Sequence, residues 1–319
     1  MNGPLDGVTL YHARFQAASD LLQTAIDIVP PGKGGVIPLS GPPRCGKSAL
    51  VTELVSKLAR DVRGCGALWT AADVVSASVP AQPSAKDLYE AIVRALGQRP
   101  RRTERAQDLR DRACQIIADQ ATRILFLDEA NHLAELGAKF SRRAAADHLK
   151  AFVDRTGIVL VLSGLPKTER IIRENEQLRD RAFRTVELHP YQWVVENDRV
   201  QFMEAILTLF DAMSEAGFEL AGDERDLARR LYGASGGRIG RVIHLLNAAA
   251  KLRTNRGSLE LEHLARAERT IVIRSENLPE MLGPEVPTDG DLDRAYATVM
   301  QGAELPVRGG HIDNLRGLR

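Results

Sequence analysis

Cysteine is scarce in this 319-residue chain, with only Cys45, Cys65 and Cys114. Three are too few for a disulfide framework, and their spacing suits no metal, which excludes a structural zinc and fits a reducing compartment. Long apolar runs are missing too, since none approaches the roughly 20 residues that span a bilayer. The opening Met-Asn-Gly-Pro-Leu-Asp-Gly lacks the basic-then-apolar order of a leader. Together these absences lead us to expect a soluble, cytoplasmic protein with no membrane partner. Charge of one sign is not in excess either: 43 Lys plus Arg face 42 Asp plus Glu. Any contact with nucleic acid must therefore come from a local patch.

The length suggests one large domain with a smaller one appended. Short, β-branched apolar runs at Val36–Ser40, Ala67–Thr70, Ile124–Leu127, Ile158–Leu162 and Thr185–Leu188 alternate with helical patterns. That alternation predicts an α/β three-layer sandwich around a five-stranded parallel sheet. Pro38 fits a central strand poorly, because it has no N–H to give the ladder. After His189-Pro190 the amphipathic stretches Asn197–Met213, Glu224–Tyr232, Arg238–Leu252 and Leu259–Ile273 follow one another without strands, so the second domain is expected to be all helical. The expected divisions are an N-terminal segment over 1–30, a nucleotide-binding domain over 31–190, a helical lid over 191–275 and a flexible tail over 276–319. Pro279, Pro284, Pro287 and Pro306 break the periodicity of that tail, although Asp291–Met300 has the pattern of a short helix.

Gly41-Pro42-Pro43-Arg44-Cys45-Gly46-Lys47-Ser48 matches G-x-x-x-x-G-K-[ST] at every fixed position, after a predicted strand and with Ala49 in the helix that follows. Its glycines let backbone N–H groups turn in around phosphates, and the helix N-terminus adds positive potential. Lys47 is expected to reach the β and γ phosphates of ATP, and the Ser48 hydroxyl to ligate magnesium. Arg123-Ile124-Leu125-Phe126-Leu127-Asp128-Glu129 is a buried-type strand ending in two carboxylates, which is costly unless they bind a cation or activate water. Asp128 is the second candidate magnesium ligand and Glu129 the candidate general base, so the nucleotide is expected to be hydrolysed. Ser163 closes another buried run, Ile158–Leu162, and is the polar side chain placed to align water and γ-phosphate. No carboxylate cluster elsewhere has the spacing of a two-metal nuclease.

Between Arg99 and Arg112 stand six arginines: Arg99, Arg101, Arg102, Arg105, Arg110 and Arg112. The segment Gln98-Arg99-Pro100-Arg101-Arg102-Thr103 joins two predicted helices. Guanidinium groups on a loop beside the Thr103 hydroxyl suit phosphate contacts that do not read sequence.

The P-loop, the Asp128-Glu129 strand, the polar end of the fourth strand and the helical domain together resemble an AAA+ ATPase. Further stretches narrow the likeness: Arg14-Phe15-Gln16-Ala17-Ala18, Pro83-Ser84-Ala85-Lys86-Asp87-Leu88 with Ala95-Leu96-Gly97, and Asp128-Glu129-Ala130-Asn131-His132-Leu133. Val161-Leu162-Ser163-Gly164-Leu165-Pro166, Glu176–Phe183 and Glu187-Leu188-His189-Pro190-Tyr191 continue it. In order and spacing these are similar to the TniB and TnsC family, AAA+ regulators of bacterial DNA transposition, over roughly residues 10–250. The resemblance implies an ATPase that assembles as a ring or filament on double-stranded DNA, recruits a DDE transposase and answers to a target selector protein. It also implies that the loop with Arg99, Arg101, Arg102, Thr103 and Arg105 lines a channel around the duplex. An arginine from one subunit reaching its neighbour's γ-phosphate is implied too, with Arg181 chosen and Arg179 and Arg184 close by. From the lid, Arg238 and Arg241 are both candidates to reach the nucleotide. The chain departs from the family in having Leu165 where Thr is frequent after the fourth strand, and Ala182 inserted between Arg181 and Phe183. The tail reads equally as a docking peptide for the transposase or as an unpartnered end. The rival reading is an AAA+ or signalling NTPase that acts on a protein without DNA; a metabolic kinase is disfavoured by the helical second domain.

Overall fold

Runs such as Ile124-Leu125-Phe126-Leu127 and Val159-Leu160-Val161-Leu162 carry no polar alternation, and a strand of that kind needs cover on both faces. The computed structural model provides it. The structure describes residues 3–64, 73–135, 141–253, 257–271 and 278–307. Its strands are β1 (Gly35–Ser40), β2 (Val74–Ser78), β3 (Ile124–Asp128), β4 (Val159–Gly164) and β5 (Val186–Glu187). They form one sheet in the order β2-β3-β4-β1-β5, with every pairing parallel. Helices α1 (Ala13–Ile28), α2 (Lys47–Gly64), α3 (Ala85–Ala95), α4 (Ala106–Gln120), α5 (Arg142–Thr156), α6 (Glu169–Arg173) and α7 (Glu176–Arg179) alternate with the strands. Leu88, Ile92, Leu109, Leu125, Leu149, Phe152 and Leu160 are among the buried residues of the sheet's main core cluster.

Two strand expectations shift. The expected run Ala67–Thr70 lies outside the described residues, and the strand that pairs with β3 is Val74–Ser78. It is an edge strand whose Ser76 and Ser78 are exposed, so it offers no continuous apolar run for a sequence reading to find. Pro38 does sit in β1, opposite Leu162 of β4. Val36 donates its N–H to Arg181 on the other side, and because N–H direction alternates along a strand, the N–H that Pro38 lacks would point the same way. On that side pairing breaks off after Val36↔Ala182 and resumes only at Leu39↔Val186, so Pro38 faces the interruption.

The chain divides into two compact units, Gln16–Gly41 with Lys47–Leu188, and Met1–Phe15 with Pro42–Gly46 and His189–Arg319. The second is helical: α8 (Glu196–Glu215), α9 (Glu224–Ser235), α10 (Ile239–Leu252), α11 (Leu261–Ile271) and α12 (Asp289–Gly302). Phe202, Ile206, Leu209, Leu231, Tyr232, Leu245 and Leu246 pack at its centre. The expected N-terminal segment over 1–30 is split, and only Met1–Phe15 belongs to this unit: Leu5 N–H donates to Asn247 Oδ1 at 2.8 Å, and His12 Nδ1 meets the Tyr191 hydroxyl at 2.9 Å.

The stretch expected to be a flexible tail from residue 276 is, over residues 278–303, part of the same core. Met281, Leu282, Leu292 and Ala295 are buried in it. Two buried charges hold the approach to α12. Glu268 accepts the N–H groups of Met281 and Leu282 at 3.3 and 2.9 Å, and Arg230 donates to the carbonyls of Gly283 and Glu285 at 2.6 and 2.9 Å while pairing with Asp226 at 2.7 Å. Prolines had hidden the segment's order, because its anchors are long-range polar bonds with no periodic signature. The expected tail beyond Val307 lies outside the described residues. Removing one partner of a buried, hydrogen-bonded charge costs about 3–5 kcal/mol. Arg230→Met is therefore expected to destabilise the helical unit by about that much in urea unfolding, and to open residues 278–288 to limited proteolysis at protease levels the wild type resists.

Candidate functional site

The parallel register decides which residues share an edge. Ser40 pairs with Gly164 and Leu39 with Ser163, while Leu162 pairs with Leu127, the residue before Asp128. The C-terminal ends of β1, β4 and β3 thus bring Gly41, Ser163 and Asp128 to one side of the sheet, where ligands bind in open α/β folds. Ser163 is fully buried, and its hydroxyl donates to Asp128 Oδ1 at 2.8 Å. The same oxygen accepts the Glu129 N–H at 3.0 Å, leaving Oδ2 without a hydrogen bond among the described residues. Glu129 has φ +55°, a left-handed conformation that costs a non-glycine residue energy and recurs at functional sites. It turns the chain directly into a short 3₁₀ helix, Ala130–Leu133.

Gly41 follows β1 at a point where a Cβ would lie 2.2 Å from the Leu188 carbonyl oxygen, so no other residue fits. Lys47 opens α2 and donates from Nζ to the Gly41 carbonyl at 2.7 Å, folding the lysine over its own loop. Ser48 and Ala49 stand exposed in the first turn of that helix. Within the loop Arg44 has φ +65° and Gly46 φ +102°. Left-handed residues placed close together in a turn direct successive N–H groups toward one concavity, a nest for anions. A triphosphate suits this donor set. Magnesium suits it as well, being held typically by one or two protein oxygens plus phosphate, and Asp128 Oδ2 and the Ser48 hydroxyl are such oxygens.

The helical unit contains Pro42–Gly46, and here α10 begins beside them: a Cβ on Gly240 would lie 2.7 Å from the Arg44 carbonyl oxygen. Arg238 occupies the N-cap of α10 and donates Nε–H to the Ser235 carbonyl at 2.7 Å. Burial, opposed by Cys45 and reinforced by Arg241 and Arg44, lowers its guanidinium to a pKa of about 10. Arg241 is lowered by burial and then by Arg44, and its Nη2 donates to the Ile271 carbonyl at 2.7 Å. Cys45 is buried and Arg44 and Pro43 are exposed. Both lid candidates, Arg238 and Arg241, are therefore near the phosphate loop.

The basic loop is ordered from within. Glu104 accepts the Arg101 N–H at 2.5 Å and the Arg112 guanidinium at 3.0 Å, and these bonds draw its carboxyl below the usual carboxylate range. Arg112 also donates to the Arg99 carbonyl at 3.2 Å, and Lys86 to the Arg102 carbonyl at 3.1 Å. Arg112 is thus an anchor, not a free cation, and Arg110 leans on Asp111 at 3.6 Å. Arg99, Arg101, Arg102 and Arg105 are exposed and none has an ion pair within 4 Å among the described residues, though the charge of Arg101 acts on Glu104, and Thr103 is exposed between them. Arg181 is engaged: its Nε pairs with Asp154 at 2.5 Å and its Nη1 donates to the Gln177 carbonyl at 2.7 Å. Arg179 reaches Glu176 only at 3.9 Å, and Arg184 is exposed.

Sequence reasoning passed over a linkage behind Asp128 and Ser163. Asn131 is buried and accepts the Leu165 N–H at 3.2 Å, tying the turn after β3 to the turn after β4. Gly164 makes room for it, since a Cβ there would lie 2.9 Å from Asn131 and 2.5 Å from Thr168. Glu135 joins His132 at 2.9 Å to Lys167 at 2.8 Å across the same gap, and those partners take its pKa down to about 2 against the opposing effect of burial. The glycine following Ser163 was the available signal.

Known proteins agree with this architecture. Among solved structures, the ORC2 protein of Aeropyrum pernix, in ADPNP–ADP complexes, superposes with a TM-score of 0.59 at 18% identity, covering 99% of this chain and 89% of that one. Cdc6p of Pyrobaculum aerophilum gives 0.59 at 15% identity, with 98% and 87% covered. Drosophila ORC bound to DNA gives 0.51 at 14%, with 96% and 78% covered. At such identities the likeness establishes the fold alone, a five-stranded parallel sheet with a helical C-terminal region. A search of curated proteins finds no match. The model of the family described as bacterial TniB protein matches residues 6–193, more than half the chain, and the protein belongs to the TniB family.

Proposed function

We propose that this protein binds and hydrolyses ATP with magnesium, assembles on double-stranded DNA in the ATP state, and recruits a DDE transposase to the target so marked. The observation that carries the ATPase reading is the Ser163–Asp128 hydrogen bond at the strand ends beside the phosphate loop. Magnesium there would be held by Asp128 and Ser48, and when bound it neutralises charge on the phosphates. The backbone N–H groups of Arg44, Cys45 and Gly46 cradle the phosphates, Pro42 and Pro43 having none to give, and Lys47 leaves the Gly41 carbonyl to meet them. Glu129, turned outward by its left-handed backbone, takes the proton of the attacking water. Ser163 holds Asp128 in one rotamer and so fixes the metal's position. Arg238 and Arg241 add positive charge from the lid, and Arg181 of an adjoining subunit completes the site in a ring or filament. A target selector acts on that assembly.

DNA enters through the loop of Arg99, Arg101, Arg102, Thr103 and Arg105. Its inner bonds through Glu104 and Arg112 fix the backbone before any ligand arrives, so four free guanidinium groups are presented with little ordering left to do. A neighbour in fold, Drosophila ORC, has itself been solved bound to DNA. Phosphate contacts of this kind make affinity fall with salt at about 0.9 log units per contact per log unit of salt. Arg101→Glu with Arg102→Glu is expected to weaken binding of a random-sequence duplex roughly 100-fold near 0.1 M salt, and to flatten the salt slope by about 2. Fluorescence anisotropy with ATPγS over a salt series measures both. A variant whose DNA affinity and slope match the wild type, with nucleotide affinity intact, removes the channel assignment and favours a protein as the partner.

A further inference from the structure

The phosphate loop carries an arginine where its backbone is left-handed, and that arginine is exposed beside two more cations of α10. Arg241, His244 and Lys251 lie at i, i+3 and i+10, one stripe along the helix. Gly240 lets the start of this stripe approach the Arg44 carbonyl, as only a residue without Cβ can at 2.7 Å. His244 Nδ1 and Arg241 Nε are buried without a hydrogen-bond partner among the described residues. A polar atom left so is expensive unless something pairs with it at another stage of the protein's cycle.

Among the described residues the charges acting on His244 are all positive. Burial depresses its proton affinity most, followed by Arg44 from the phosphate loop and then Arg241 and Lys251 from its own helix. Among the described residues no neighbour relieves this. Helices α8, α9 and α11 pack on α10, yet α11 offers Arg241 only the Ile271 carbonyl, and its buried Glu268 is committed to Met281 and Leu282. Asp6 lies 3.9 Å from Lys251 and accepts a hydrogen bond from Asn247. The cluster Arg44, Arg238, Arg241 and His244 is thus a set of cations and one uncharged imidazole awaiting an anion.

We propose that His244 takes up a proton when a nucleotide's phosphates occupy the adjacent loop, so that nucleotide affinity is coupled to pH through this one side chain. The inference rests on the nucleotide-binding reading above and adds to it a positioning residue outside the motif. Phosphate oxygens reverse the sign of the local field, so the imidazolium that Arg44 and Arg241 disfavour in the free protein becomes favourable in the complex. The direction follows by linkage: if the complex binds more protons than the free protein, affinity rises as pH falls, by at most tenfold per pH unit for one site. Above the range in which His244 titrates in the complex the dependence vanishes.

The test is isothermal titration of the full chain with Mg-ADP between pH 6 and 8, in two buffers of different ionisation enthalpy, for wild type, His244→Gln and His244→Arg. ADP's own titration is common to all three and cancels in the comparison. The expected result is a proton uptake in the wild type that exceeds that of His244→Gln by a large fraction of one proton, with a correspondingly steeper pH dependence of Kd. His244→Arg, which carries a permanent charge, is expected to bind more tightly than wild type at pH 8 and to lose the extra uptake; thermal melting confirms that each variant is folded. Equal uptake in wild type and His244→Gln overturns the proposal even if ADP binds well, as does an Arg variant no tighter at pH 8. A folded wild type that binds no nucleotide overturns the nucleotide reading and this inference together.

Discussion

Glu129→Gln is expected to bind ATP as tightly as the wild type and to hydrolyse it about 10²–10⁴ times more slowly, the range a positioned general base contributes. The geometry says why the loss falls on the chemical step. Glu129 is exposed and held in a left-handed turn at the end of β3, its backbone N–H donating to Asp128 Oδ1 and its carbonyl accepting the His132 N–H at 3.0 Å. Glutamine keeps that turn and that N–H but cannot accept a proton. Lys47→Ala gives the opposite pattern: it deletes the ammonium that closes over the phosphate loop, and nucleotide affinity itself is lost. Single-turnover hydrolysis beside equilibrium binding of a fluorescent ATP analogue separates the two, and a Glu129→Gln protein that turns over normally would hand the role of base to another group. On this reading the Gln variant also stays assembled on DNA, since the ATP state persists.

Much of this site is legible in the residues alone because the phosphate loop and the carboxylate strand are local: each lies within ten consecutive positions, and strand, turn and helix follow from apolar runs and glycine. The sheet order is less local, yet the register that joins Ser163 to Asp128 follows once the two runs are recognised as buried parallel strands. What sequence could not show depends on partners distant in the chain. The fate of residues 278–303 is decided by Arg230 and Glu268, each bonded to backbone groups more than ten positions away. Edge strand β2 escaped because Ser76 and Ser78, two of its five residues, are exposed and break the apolar run. Counting arginines between Arg99 and Arg112 overstated the free charge, since Arg112 spends its donors on Glu104 and the Arg99 carbonyl. Arg44 fills a position that the G-x-x-x-x-G-K-[ST] pattern does not fix, and only the φ of +65° and the approach of Gly240 give it a setting.

Arg181→Ala is expected to leave ATP binding by the isolated subunit unchanged and to reduce the turnover of the assembled protein about 10³–10⁵-fold, the effect of removing a trans-acting arginine. The structure adds a condition. Arg181 is paired with Asp154 and the Gln177 carbonyl of its own subunit, so reaching a neighbour's γ-phosphate requires it to exchange a carboxylate for a phosphate. The exchange is feasible because the side chain is about one-third exposed, where an ion pair contributes little, near 0–1 kcal/mol. Asp154→Asn then frees the guanidinium and should leave assembled turnover at or above the wild-type rate, which a purely structural role for the pair would not allow. Arg184, exposed two residues before β5, is the contrasting substitution. If Arg184→Ala stops turnover while Arg181→Ala does not, the finger lies three positions further on, beyond the inserted Ala182, and the Arg181–Asp154 pair serves only to hold the short helix α7 against α5.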